Sequence, residues 1–104
     1  MDKLLIHDMR RNNGMKRTVI TVVGKDTVGI IAKVCTYLAD SNINILDISQ
    51  TIVQGFFNMM MIVDMTGVSK DFEVISEELE KLGSEIGVII KSQREDIFDK
   101  MHRI

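Results

Sequence analysis

One cysteine in 104 residues cannot close an internal disulfide, and secreted domains of this size rely on an even, larger set. A reducing compartment, the cytoplasm, is therefore expected. No apolar run approaches the roughly 20 residues that a spanning helix needs. The opening Met1-Asp2-Lys3-Leu4-Leu5-Ile6-His7 has neither the long apolar stretch nor the small-residue cleavage site of a secretory signal. Membrane partners are set aside on that ground. An excess of positive charge is missing too. Residues 1–17 hold five basic against two acidic side chains, a net +3, but the rest of the chain holds eight basic and thirteen acidic, a net −5. An acidic body is a poor match to a phosphate backbone, so nucleic acid is excluded as the main partner.

What is present suffices for one domain. Hydrophobic residues make up 45% of the chain, and a chain this short still buries roughly 60–70% of its unfolded surface without staples. Residues 1–14 read as an N-terminal arm, polar at Arg10-Arg11-Asn12 and with a turn signal at Asn13-Gly14. Residues 15–104 read as a single domain.

Within it, Thr18-Val19-Ile20-Thr21-Val22-Val23 is β-branched, short and stopped by Gly24, which predicts a buried strand. A tight loop to Gly29 leads into a helix with Ile31, Val34, Cys35 and Leu38 on its inward face. Asp40-Ser41-Asn42 ends that helix. Two strands follow, over 44–54 and 56–65, reversing at Gly55. In the second, Phe57, Met59, Met61, Val63 and Met65 form the more apolar face. Ser69 is the expected N-cap of a second helix, with Asp71 and Glu73 in its first turn. Phe72, Ile75, Leu79 and Leu82 are its stripe, and Gly83 its stop. Residues 86–90 predict a fourth strand, and 95–104 a short C-terminal helix with Ile97, Met101 and Ile104 in line. The order βαββαβ predicts an α+β, ferredoxin-like sandwich: a four-stranded antiparallel sheet with both helices on one face. Thr21, Asp47, Ser49, Thr51 and Asn58 are expected to make the other sheet face polar.

Fold alone does not assign function, so the residues decide. An RNA-recognition sheet stacks bases on aromatic side chains, whereas the candidate strand has Met59-Met60-Met61 at its middle. Those methionines read as packing residues. A soft-metal site needs paired thiols in the first loop, and that loop has none; Cys35 reads as a small buried hydrophobe. An acylphosphatase needs an arginine there to stabilise the transition state, and only Lys25 is present. Gly24 and Gly29 have phosphate-loop separation, but Ile30-Ile31 stands where Lys-Ser/Thr must. His7 lies in the arm and His102 in the tail. No nucleophile, base and orienting group gather, so neither a catalytic residue nor a metal or cofactor is expected.

The first loop and the mouth of the second strand are different. Asp26 stands three residues before Gly29 and suits a cap accepting from the Gly29 N–H. Gly29 has no Cβ, so a ligand can approach the helix N-terminus, where free N–H groups attract a carboxylate. Asn42 and Asn44 supply donors and acceptors for amino and carboxylate groups. The same residues also suit a plain cap and a plain turn.

Thr21-Val22-Val23-Gly24-Lys25-Asp26-Thr27-Val28-Gly29-Ile30, with Asn42-Ile43-Asn44-Ile45 and Asp47-Ile48-Ser49-Gln50-Thr51, resembles an ACT domain. Together with Glu95-Asp96-Ile97-Phe98 and Met101-His102-Arg103-Ile104, it resembles the stand-alone UPF0237 group in particular. The resemblance covers 15–104. It implies a non-enzymatic regulatory role in which a small ligand, an amino acid as a rule, binds between paired domains. By position it implies a ligand loop of Asp26, Thr27, Val28, Gly29 and Ile30, and an opposing wall of Asn42, Ile43, Asn44 and Ile45. The expected protein is thus a sensor, at least a homodimer, with the first loop of one copy facing the second strand of the other. The alternative is a ligand-independent oligomeric module that docks on a metabolic enzyme.

Overall fold

The structure, a computed structural model, describes residues 16–25 and 28–95. Its elements are β1 (Arg17–Lys25), α1 (Ile30–Asp40), β2 (Asn44–Val53), β3 (Phe56–Asp64), α2 (Phe72–Ile86) and β4 (Val88–Arg94). The strands form one four-stranded sheet in the order β2-β3-β1-β4, antiparallel at each seam. This is the expected βαββαβ sandwich. The arm over 1–14 and the C-terminal helix, with His7 and His102, lie outside the described residues.

The core sits between the sheet and the helices. Ile20 and Val22 of β1, Met59, Met61 and Val63 of β3, and Ile90 of β4 meet Val34 and Leu38 of α1 and Ile75 and Leu79 of α2. The alternation read in β3 holds: Phe57, Met59, Met61, Val63 and Met65 are all buried. Thr18, the one buried polar residue described, donates its hydroxyl to Met65 Sδ at 3.0 Å. The hairpin turns through Gln54 and Gly55, both at positive φ (52° and 82°), the conformation that follows the twist of the flanking strands.

Several local expectations need correction. Helix α1 begins at Ile30, so its buried stripe is Ile30, Val34 and Leu38. Ile31 is exposed and Cys35 only half-buried. Asp71, not Ser69, is the N-cap of α2. Gly83 does not stop that helix; Gly87 does, in a left-handed conformation with its N–H donating to the Gly83 carbonyl. Gly83 lies against β4, where a Cβ would stand 2.7 Å from the Val88 carbonyl oxygen and 3.0 Å from Ile90 Cγ1. It is glycine so that helix and strand can touch. β4 accordingly starts later than expected, at Val88.

The outer sheet face also differs from expectation. By register, Thr21, Asp47, Ser49, Thr51 and Asn58 do share it. So do Val23, Phe56, Met60 and Ile89, all exposed. The face is mixed rather than polar, because the even-numbered set of β3 carries a phenylalanine and a methionine of its own. In β2 the pairing shifts between Ile45 and Asp47, leaving Leu46 as an extra residue. This bulge sets the faces of the strand: Ile45 pairs with buried Val63, and beyond it Ile48 pairs with buried Met61.

Candidate functional site

The loop from β1 to α1 ends in Val28, fully exposed, and Gly29, which stands before the first helical turn at φ 91° and ψ 0°. A Cβ built on Gly29 meets nothing within 4 Å. The helix start is therefore open on that side, and the left-handed backbone, rather than crowding, calls for glycine. Ile30 turns into the core. Asp26 and Thr27, with the expected cap, lie outside the described residues. Beside Gly29 a hollow of about 130 Å³ is lined by Val28, Ile30, Lys33, Glu85 and Ile86. It is smaller than the roughly 300–1,000 Å³ of a drug-sized pocket and suits a small head group. Lys33 and Glu85 escaped the sequence reading. They lie 52 residues apart, and only the meeting of the start of α1 with the end of α2 brings them together.

The opposing wall is built by the other end of α1. The Ile43 N–H donates to the Leu38 carbonyl at 2.9 Å and the Asn42 N–H to the Ala39 carbonyl at 3.1 Å. Asn42 itself is left-handed at φ 61°. This is a Schellman closure, with asparagine in the position glycine usually takes. It accounts for the Asn42 backbone and sends Ile43, 5% exposed, into the core against Leu38. Asn42 and Asn44 remain exposed and Ile45 is half-buried. Of the expected site residues, the structure thus offers Val28, Gly29, Asn42 and Asn44 to solvent and commits Ile30 and Ile43 to the core. The two groups are not brought together within one chain: α1 has 11 residues, about 16 Å of helix at 1.5 Å per residue.

Two features bear on chemistry. Tyr37 donates its hydroxyl to Glu78, whose two oxygens also accept from Lys70 Nζ at 3.0 Å each. Desolvation and then the Glu78 bond push the Tyr37 phenol up to about 12. The Tyr37 and Lys70 hydrogen bonds hold the Glu78 carboxyl below its ordinary range. This cluster ties the two helices together, and none of its three residues lines the hollow beside Gly29. Among the described residues no three His, Cys, Asp or Glu side chains gather around a possible metal, and no helix is long and apolar enough to cross a membrane.

The ACT domain profile matches residues 16–93. The chain belongs to the ACT domain family. A UPF0237 protein of Bifidobacterium longum is 63% identical over 90 residues, covering 86% of this chain and all of that one. The solved ACT domain protein from Streptococcus pneumoniae superposes with a TM-score of 0.73 at 39% identity, covering 82% of this chain and 96% of that one. A candidate glycine cleavage system transcriptional repressor gives a TM-score of 0.68 at 25% identity, over 77% of this chain and 46% of that one. ACT membership, within the stand-alone UPF0237 group, makes this a regulatory ligand-binding domain.

Proposed function

We propose that this ACT domain is a non-enzymatic sensor: two copies pair through β2 and hold a small metabolite, an amino acid, between the Gly29 loop of one and the Asn42–Asn44 wall of the other. The observation that carries the reading is the geometry of the β2 edge. β2 is an edge strand, exposed along its length apart from half-buried Ile45. Ile48 and Ile52 sit on its helix-facing side, opposite buried Met61 and Phe57, yet are 45% and 56% exposed. An open ladder beside an uncovered apolar strip is an edge that natural sheets protect.

Pairing two such edges antiparallel, about a two-fold axis, turns the Asn44 end of one strand toward the Val53 end of the other. Val53, Phe56 and Lys25 share a row, and Gly29 follows Lys25 by four residues, so that end carries the open helix start. The pairing shortens the separation that keeps the walls apart in one chain. The helix N-terminus and Lys33 suit a carboxylate, and Glu85 and the asparagine carbonyls suit an ammonium group. A ligand shared across the seam stabilises the pair by about 2.7 kcal/mol at a hundredfold excess over Kd.

Thermal-shift screening of the twenty amino acids, followed by sedimentation, tests this. A dimer stabilised by a subset of them is expected; a monomer unmoved by all twenty sinks the reading. A second reading, a ligand-independent interaction module that docks on a metabolic enzyme, is favoured by a different observation. Val23, Phe56, Met60 and Ile89 leave an apolar patch on the outer sheet face. It predicts oligomers indifferent to amino acids.

A further inference from the structure

We propose that the end of the sandwich remote from Gly29 is a second ligand site, for a small molecule that joins an apolar body to a phosphate or carboxylate head. There a cavity of about 550 Å³ opens between the start of β1, the end of β4 and the entry to α2. That size lies within the range of small-molecule sites, whereas the hollow at Gly29 is several times smaller.

Its wall is divided by chemistry. Met65, Val68 and Phe72 give it an apolar floor. Lys16, Arg17, Lys70 and Arg94 bring four positive charges, against the two carboxylates of Asp71 and Glu95. The chain as a whole is net −2, so this cationic excess runs against the background. Two of the four cations are engaged. Lys70 is held by both Glu78 oxygens, and Arg17 Nε stands 3.3 Å from Glu95 Oε1. That second contact is an ion pair without hydrogen-bond alignment, and Arg17 Nε is left buried with no acceptor. A buried guanidinium N–H without an aligned acceptor is a desolvation cost, so the fold holds an imperfectly satisfied cation beside this cavity. Lys16 and Arg94, both exposed, have no acidic partner among the described residues.

The fifteen-residue helix α2 starts at this same end, and its N-cap Asp71 makes no side-chain cap bond. The positive end of the helix dipole adds to the field of the side chains. Planar guanidinium forks over an apolar floor suit an oxyanion attached to a ring or alkyl chain better than a free inorganic ion. This site shares no lining residue with the hollow at Gly29, so the two proposals stand or fall separately.

Titration calorimetry on the full chain at fixed ionic strength, with inorganic phosphate, phenyl phosphate and 3-phenylpropionate as probes, tests it. Phenyl phosphate is expected to bind saturably and roughly tenfold more tightly than inorganic phosphate, through burial of its ring. Arg94→Gln, at an exposed position, is expected to weaken that binding about fivefold or more. Asp71→Asn, which keeps a good capping residue while removing a negative charge, is expected to strengthen it. Asn44→Ala is expected to leave it unchanged. Stronger binding of 3-phenylpropionate than of phenyl phosphate, still sensitive to Arg94→Gln, supports the site and assigns it a carboxylate head. Absence of saturable binding by either aromatic anion, or binding indifferent to Arg94→Gln, overturns the proposal.

Discussion

Tyr37 on α1 donates its hydroxyl to the carboxylate of Glu78 on α2, and that carboxylate is simultaneously gripped by Lys70. One acid thus ties the two helices and the approach to α2 into a single unit. The link is polar and rimmed by solvent, so it contributes to alignment more than to burial.

Its pH behaviour follows from the raised phenol. Below about pH 10 both folded and unfolded chains keep the Tyr37 proton. Between the ordinary value of 10.0 and the folded value of about 12 the unfolded chain loses it first. Stability is therefore expected to fall across that window and level off above it. Urea denaturation at several alkaline pH values checks this. In Tyr37→Phe the decline over the same window is expected to be shallower.

Gly83→Ala weighs two opposed effects. Alanine is the better helix former by about 1 kcal/mol. The new methyl, however, meets the Val88 carbonyl oxygen at 2.7 Å and Ile90 Cγ1 at 3.0 Å, and neither backbone nor a β-branched core side chain yields easily. Overpacking of this kind costs about 1–3 kcal/mol, so net destabilisation is expected. A Tm unchanged or raised in calorimetry contradicts the close contact.

Ile52→Lys tests the β2 pairing. Ile52 is 56% exposed, so a single copy is expected to retain its fold and its circular dichroism. Across two paired β2 edges the added charge is unfavourable, and sedimentation is expected to show monomers at concentrations where the parent chain is dimeric.

Two substitutions separate backbone from ligand effects at the candidate site. Gly29→Ala is expected to cost about 1 kcal/mol through the left-handed φ of 91°, although its methyl meets nothing. Asn44→Ala, exposed at the start of β2, is expected to leave the unliganded Tm near that of the parent. It is expected to abolish the shift produced by the stabilising amino acid. Retention of that shift removes Asn44 from the ligand wall.

How much of this was legible in the sequence depended on whether one chain segment held the answer. β3 was readable because its odd-numbered residues alternate without interruption and only one face meets the helices. The phase of α1 was not, since Ile30 and Ile31 both continue a helical stripe through Val34 and Leu38; the actual start of the helix chose Ile30. Gly83 looked like a stop because glycine ends helices more often than it permits a close contact, and the contact involves β4, which comes later in the chain. Gly29 and the asparagines were visible as residues. Their separation by the length of α1 was not, nor were Lys33 and Glu85, which only tertiary packing makes neighbours.

The extra residue at Leu46 acts on β2 as a shift of reading frame acts on a message. Upstream of it odd positions are addressed to the helices, and downstream the even ones are: Ile48, Gln50 and Ile52. Were the same residues laid down in strict alternation, with Leu46 paired instead of extra, the interior would receive Asp47, Ser49 and Thr51 and the isoleucines would turn outward. The one residue out of step is thus what lets a segment whose letters run in the wrong phase keep its isoleucines on the side of the helices.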